Sequence, residues 1–350
     1  MEDIKSCKRI LIVNVNWLGD VLFSTVSIKA IRRRFPESFI ASMVVPRCKE
    51  MLEGNPNLDE IIIFDEEGEH KGIIGKIKFI FLLKKRHFDT VFLFHRSFTR
   101  LFLCYLAGIP ERIGYWRRKG GFLLTKKIEP PPSGIHRADY YLNLVKEAGI
   151  EITETGCDFF LSEDARDSVS RFLEENGVKR SDFLISVNPG ANWSLKRWPL
   201  DRFAELSDRL IERYNAKIVI TGSQSDIKLA QEITDKMKHT PIIASGRTNL
   251  KELGALFRFS DLVISADTGP MHIAVCMQTP LIALFGPTSP DITGPYAARG
   301  PTKVIQKDVG CNIPCYNLDC KQNRCMQAIT VDDVLKAIEE LKIYPLLHKR

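Results

Sequence analysis

The chain has 350 residues, 44% hydrophobic and 27% charged, which is length and composition for about two globular domains with full cores. That balance excludes a disordered chain, a collagen-like repeat and a small disulfide scaffold. The net charge of +7 is uneven: residues 1–150 hold 25 Lys/Arg against 17 Asp/Glu, whereas residues 151–350 hold 25 against 26. The basic excess belongs to the first half and points to an anionic partner there.

Short β-rich runs alternate with helical patterns along the whole chain, the sign of parallel βαβ units. Arg9–Val15 reads as a strand, and Val21–Arg34 as a helix after the turn Asn16-Trp17-Leu18-Gly19-Asp20. Strands follow at Phe39–Val44, Glu60–Phe64 and Thr90–Phe94, with helices at Ile73–Lys85, Phe98–Leu106 and Ala138–Ala148. The Gly-, Pro- and base-rich stretch Arg112–Pro132 reads as loops. In the second half, strands are expected at Phe183–Val187, Lys217–Thr221, Pro241–Ala244, Leu262–Ser265 and Leu281–Phe285. Helices are expected at Asp201–Tyr214, Asp226–Lys238, Leu250–Phe259, from Gly269 onward, and at Thr330–Ile343. The expected fold class is α/β, with two doubly wound Rossmann-like domains facing a cleft; the boundary falls between Gly149 and Phe183. Ligands of such sheets bind beyond the carboxyl ends of the strands. The longest apolar runs, Phe79–Leu83 and Val91–Phe94, fall far short of the ~20 residues of a spanning helix. The start Met1-Glu2-Asp3 lacks the order of a signal peptide.

Four features carry chemistry. Asp20 lies at the mouth of the first helix, where it reads either as an N-cap or as a carboxylate available as a general base. The loop Asn188-Pro189-Gly190-Ala191-Asn192 with Lys196-Arg197-Trp198-Pro199 offers amides and cations suited to a phosphate. Asp267-Thr268-Gly269-Pro270-Met271-His272 ends a strand and opens a helix whose bare amides form an anion site; His272 is a structural histidine or a substrate contact. Finally, Arg112, Arg117, Arg118 and Lys119, with His136 and Arg137, are candidates for holding an anionic substrate. Arg32–Arg34 and Lys84–Arg86 instead fall at helix C-termini, where positive charge offsets the dipole. There is no G-x-G anywhere in the sequence, which disfavours a dinucleotide dehydrogenase, and no nucleic-acid-binding motif.

In this order and from about Lys8 to Leu341, the motifs Asn16-Trp17-Leu18-Gly19-Asp20, Asn188-Pro189-Gly190-Ala191, Lys196-Arg197-Trp198-Pro199 and Asp267–Ala274 resemble those of the bacterial lipopolysaccharide heptosyltransferases, the opening motif being most like the heptosyltransferase II group. The resemblance implies a GT-B fold and an inverting, metal-independent transfer without cofactor. It also implies an ADP-heptose donor, a lipid-carried, anionic inner-core acceptor, and work at the cytoplasmic face of the inner membrane. The basic, aromatic stretch from Lys76 to Arg118 reads largely as ordinary helix and strand core, which leaves transient contact with the membrane surface as the expectation. Residues 1–160 would bind the acceptor and 161–350 the donor. By position Asp20 matches the family's base and Lys196 the lysine on the donor diphosphate. Asp267 matches the aspartate on heptose hydroxyls, and Thr268 and Gly269 the phosphate loop, while Asn192, Pro270 and His272 fall in the donor site. Family members often place an acid after Thr221-Gly222; here Gln224 or Asp226 would have to reach the ribose. A related transferase using another nucleotide-sugar is the alternative.

Nine cysteines, five of them scattered, fit a reducing compartment. The remaining four, Cys311, Cys315, Cys320 and Cys325, could bind a zinc ion, remain buried thiols, or form redox-dependent disulfides.

Overall fold

The computed structural model describes residues 7–343. The chain divides after Phe160 into two compact units. In the first, strands β1 (Arg9–Val13), β2 (Phe39–Val44), β3 (Glu60–Ile63), β4 (Thr90–Leu93), β5 (Glu111–Tyr115) and β6 (Lys126–Ile128) form one sheet. Its order is β3-β2-β1-β4-β5-β6 and every pairing is parallel. Ile10–Val13 are fully buried, as a central parallel strand covered on both faces requires. The order reverses between β1 and β4, where Val13 stands opposite both Met43 and Leu93.

The second unit repeats the plan with β7 (Leu184–Asn188), β8 (Lys217–Ile220), β9 (Ile242–Ile243), β10 (Leu262–Ala266), β11 (Leu281–Phe285) and β12 (Thr302–Gln306). These are ordered β12-β11-β10-β7-β8-β9 and are again all parallel. Its reversal lies between β7 and β10, with Asn188 opposite Ser265. Trp198 is buried in the core of this unit, and its indole N–H donates to the Ile329 carbonyl at 2.9 Å. That bond ties the loop after β7 to the segment leading into the last helix, Val331–Leu341, which Thr330 caps with a reciprocal box to Asp333.

Several expectations are corrected. The stretch Arg112–Pro132 is not all loop, since it holds most of β5, a 3-10 turn at Gly121–Leu123, and β6. A helix at Glu163–Glu175, with the Ser162 hydroxyl accepting from the Ala165 amide, and the edge strand β12 join the expected elements. The first helix starts at Leu18 instead of Val21.

Candidate active site

The site of the first unit is built on the turn leaving β1. Asn14 is fully buried; its amide donates to Ser24 Oγ at 2.8 Å and Ser42 Oγ at 3.4 Å, while its Oδ1 accepts from the Val15 N–H. These bonds aim the chain into the helix Leu18–Arg34. Trp17 takes the N-cap position, with no side-chain cap. Asp20 is therefore not the cap but a first-turn residue, held where the helix dipole favours a carboxylate. Its Oδ1 accepts from Tyr141 Oη at 3.1 Å and lies 4.0 Å from Arg137 Nε. Burial pushes the Tyr141 hydroxyl well above its ordinary range, so the phenol remains a donor at neutral pH. Arg137 and Tyr141 are four residues apart on one helix, Arg137–Glu147, and so share a face.

The expected cation set separates. Arg137 joins Asp20. His136 is the N-cap of the Arg137–Glu147 helix; its Nδ1 accepts from the Ala138 N–H at 3.1 Å and its ring meets Phe23 edge-on. Arg117 donates to the Ser97 carbonyl at 3.0 Å, and burial, then the neighbouring Arg96, lowers its pKa. Arg118 and Lys119 are exposed. Arg112 does not belong with them. It sits near the start of β5 opposite Val91, at the sheet end away from the β1 turn, and its guanidinium is spent on the Leu123, Ile109 and Pro110 carbonyls. Sequence reasoning missed Tyr141 and also His95, which follows β4. Burial, then the charge of Arg100, holds His95 down to about 4.

In the second unit Asn188 closes β7. Its amide donates to Ser265 Oγ at 3.3 Å and its Oδ1 accepts from Thr221 Oγ1 at 3.2 Å, joining the ends of β7, β10 and β8. Lys196, on the 3-10 turn Ser194–Lys196, places Nζ 2.7 Å from Asp267 Oδ2. Asp267 is only 4% exposed; it also accepts from Thr293 Oγ1 at 3.2 Å, and His272 Nε2 lies 3.9 Å from its Oδ1. Three expected residues, Lys196, Asp267 and His272, thus come together, with Thr293 added from the end of the short helix Pro290–Thr293 that follows β11. Thr268 occupies the N-cap position without a side-chain cap, Gly269 and Pro270 open the helix Gly269–Cys276, and no acid stands in its first turn. Asn192 and Gln224 are exposed. Asp226 instead closes its own turn on the Ser223 N–H (2.9 Å) and hydroxyl (2.6 Å). It packs so tightly on Gly190 that a Cβ there would lie 2.8 Å from its carboxyl group. Of the two ribose candidates, only Gln224 is left outward-facing.

Cys311, Cys315, Cys320 and Cys325 are free thiols lining one cavity of about 380 Å3. Among the described residues no three ligating groups stand together as a metal site. The segment instead buttresses the loop after β11: the Cys315 N–H donates to the Pro287 carbonyl at 2.7 Å, and a Cβ on Gly286 would lie 3.2 Å from Cys325 Sγ.

The profile of glycosyltransferase family 9 (heptosyltransferase) matches residues 77–321. The chain belongs to glycosyltransferase family 9. Within this heptosyltransferase family it is 26% identical over 306 residues to lipopolysaccharide heptosyltransferase 2 of Escherichia coli, covering 83% of this chain and 86% of that protein. It is also 26% identical over 294 residues to the lipopolysaccharide core heptosyltransferase OpsX of Haemophilus influenzae, covering 83% and 82%. Among solved structures, the family 9 glycosyltransferase of Veillonella parvula superposes with a TM-score of 0.85 at 27% identity, over 98% of both chains. The E. coli ADP-heptose LPS heptosyltransferase II gives 0.78 at 25%, over 95% of this chain and 98% of that one. The fold is of GT-B type and the chain is a transferase. Among the described residues, no helix is long and apolar enough to cross a membrane.

Proposed function

We propose that this family 9 transferase moves a heptose from ADP-heptose onto the inner core of lipopolysaccharide, with inversion at the transferred carbon. The observation that carries the reading is the Lys196–Asp267 ion pair beside the acid-free N-terminus of the Gly269–Cys276 helix. Departure of a nucleoside diphosphate needs fixed positive charge where the leaving oxygen develops its own. The Lys196 ammonium and the amides at Thr268, Gly269 and the following turn supply it. Asp267 accepts hydrogen bonds from heptose hydroxyls, His272 and Thr293 fix its orientation, and Asn192 and Gln224 reach the nucleotide. The nucleophile is an acceptor hydroxyl, whose proton passes to Asp20 as the new glycosidic bond forms and the bond to ADP breaks. Tyr141 and Arg137 orient that carboxylate. Arg117, Arg118, Lys119 and Arg137 hold the acceptor's anionic groups.

On this reading residues 1–160 bind the acceptor and 161–350 the donor. The lipid-carried acceptor places the enzyme peripherally at the cytoplasmic face of the inner membrane. A second reading, transfer of another nucleotide-sugar to a different surface glycan, is favoured by one departure: the loop after Thr221-Gly222 offers Gln224, while its acid, Asp226, is spent on the Ser223 turn. Incubation with defined inner-core acceptors and a panel of ADP-, GDP- and UDP-sugars separates the two. The first expects a product heavier by one heptose with ADP-heptose alone; turnover only with another sugar nucleotide selects the second.

A further inference from the structure

A helix on a water-facing surface ordinarily buries one stripe and turns polar residues outward. The helix Gly72–Lys85 departs from this. It buries Gly75, Phe79 and Leu83 at i, i+4, i+8, yet Ile73 is 78% exposed, Ile74 73% and Phe81 58%, with Ile77 also exposed. The adjoining helix Phe98–Leu106 packs against it and turns Phe102 and Tyr105 outward, and Phe122 nearby is 77% exposed. Phe98, Phe102 and Tyr105 stack in series, at 5.7 Å and 6.4 Å between centroids. This corrects the expectation that much of the stretch from Lys76 to Arg118 is ordinary helix and strand core: the helices form, but much of their apolar surface faces out.

We propose that the outward faces of these two helices dock on an anionic lipid bilayer. Lys78, Lys84 and Lys85 are exposed among the apolar residues, and the helix Gly72–Lys85 contains no acid; Glu67 and Glu69 lie in the loop before it. Apolar residues that enter the headgroup boundary, flanked by lysines that meet anionic headgroups, are what an interfacial helix needs. The aromatic ladder suits the same boundary. A second copy of the chain fits worse, because a two-fold contact through this face would gather the lysines of both helices into one interface with no acid on either helix to meet them. The docking stands on these exposed residues; only its use, delivering the enzyme to a lipid-carried acceptor, rests on the activity proposed above.

Flotation of the full chain with phosphatidylcholine vesicles, and with vesicles containing about one third phosphatidylglycerol, tests the docking. Binding is expected to the anionic vesicles, with most of it lost at about 0.5 M salt. Ile74→Ser with Phe81→Ser should lower it about tenfold or more, and Lys78→Ala with Lys85→Ala about tenfold. Both variants should keep the wild-type melting temperature and wild-type turnover on a soluble, deacylated acceptor. Absence of binding to anionic vesicles, or equal binding by wild type and both variants, overturns the proposal. So does a wild-type dimer in sedimentation that Phe81→Ser breaks. If the wild type binds vesicles but turns over no acceptor, the proposed activity fails and the docking survives.

Discussion

The two units have one strand topology and put it to opposite electrostatic use. At the reversal in the first sheet, the helix after β1 carries its own carboxylate, Asp20, in the first turn. That acid takes up the positive end of the helix dipole, so the turn is poorly suited to a phosphate. At the equivalent reversal in the second sheet, the helix after β10 has no acid in its first turn. Its acid, Asp267, lies one residue before the cap and is tied to Lys196, which leaves the amides for an anion. The two helices leave non-equivalent strands, β1 in one sheet and β10 in the other, so the proposed base and the proposed anion site stand on opposite sides of the same reversal.

Substitutions can break this contrast. The largest effect is expected at Asp20→Asn: turnover should fall by about 10²–10⁴-fold, while ADP affinity by calorimetry stays at the wild-type value. Substantial turnover would remove Asp20 from the role of base. Lys196→Ala should come next, weakening ADP about 10–100-fold through loss of a charged partner and leaving Asp267 buried without its cation. An unchanged ADP isotherm would place the diphosphate elsewhere. Arg118→Ala should raise the acceptor KM about 3–10-fold, as loss of an exposed charge contact would, with the donor KM unmoved; the reverse pattern would exchange the roles of the two units.

The smallest effect concerns His95. Its folded pKa of about 4 lies below the ordinary 6.5, so the unfolded chain binds the extra proton first and stability falls as pH drops from about 6.5 toward 4. In urea titrations across that window, His95→Gln should lose about 1–2 kcal/mol less than the wild type, after allowance for partial solvation. Parallel acid losses would show that His95 has no part in them.

Most strands were legible because both faces of a parallel strand are covered, and runs such as Arg9–Val13, Leu262–Ala266 and Leu281–Phe285 are nearly unbroken apolar sequence. The strand β5 was hidden by Arg112 and Gly114 inside it, and β12 by its half-exposed edge position. The start of the first helix was misplaced because Gly19 reads as a breaker, although it sits in the helix as the second residue. The Ser162 cap and the acids Glu163 and Asp164 did carry a helix signal in the sequence.

The placing of candidate residues was legible where a motif fixed both spacing and element, as with Asp20 in a first helical turn and Lys196 beside Asp267. Arg112 was misplaced because composition does not say whether a guanidinium faces a ligand or its own carbonyls. Tyr141 escaped notice because its partner is 121 positions away. The exposed face of the Gly72–Lys85 helix was illegible for a related reason: an apolar residue in a helix pattern is read as buried until packing shows otherwise.

The Trp198 indole bond to Ile329 has a consequence for how the second unit can be cut and carried. The loop that bears Lys196 is fastened to a point just two residues before the final helix. A fragment ending before Ile329 would lose the acceptor of that bond, and with it the cover over Trp198, a side chain whose removal from a core costs about 3–5 kcal/mol. The smallest transplantable second unit therefore starts at Leu161 and runs past Ile329, and a chain released from the ribosome short of Ile329 would have its lysine loop in sequence but not in place.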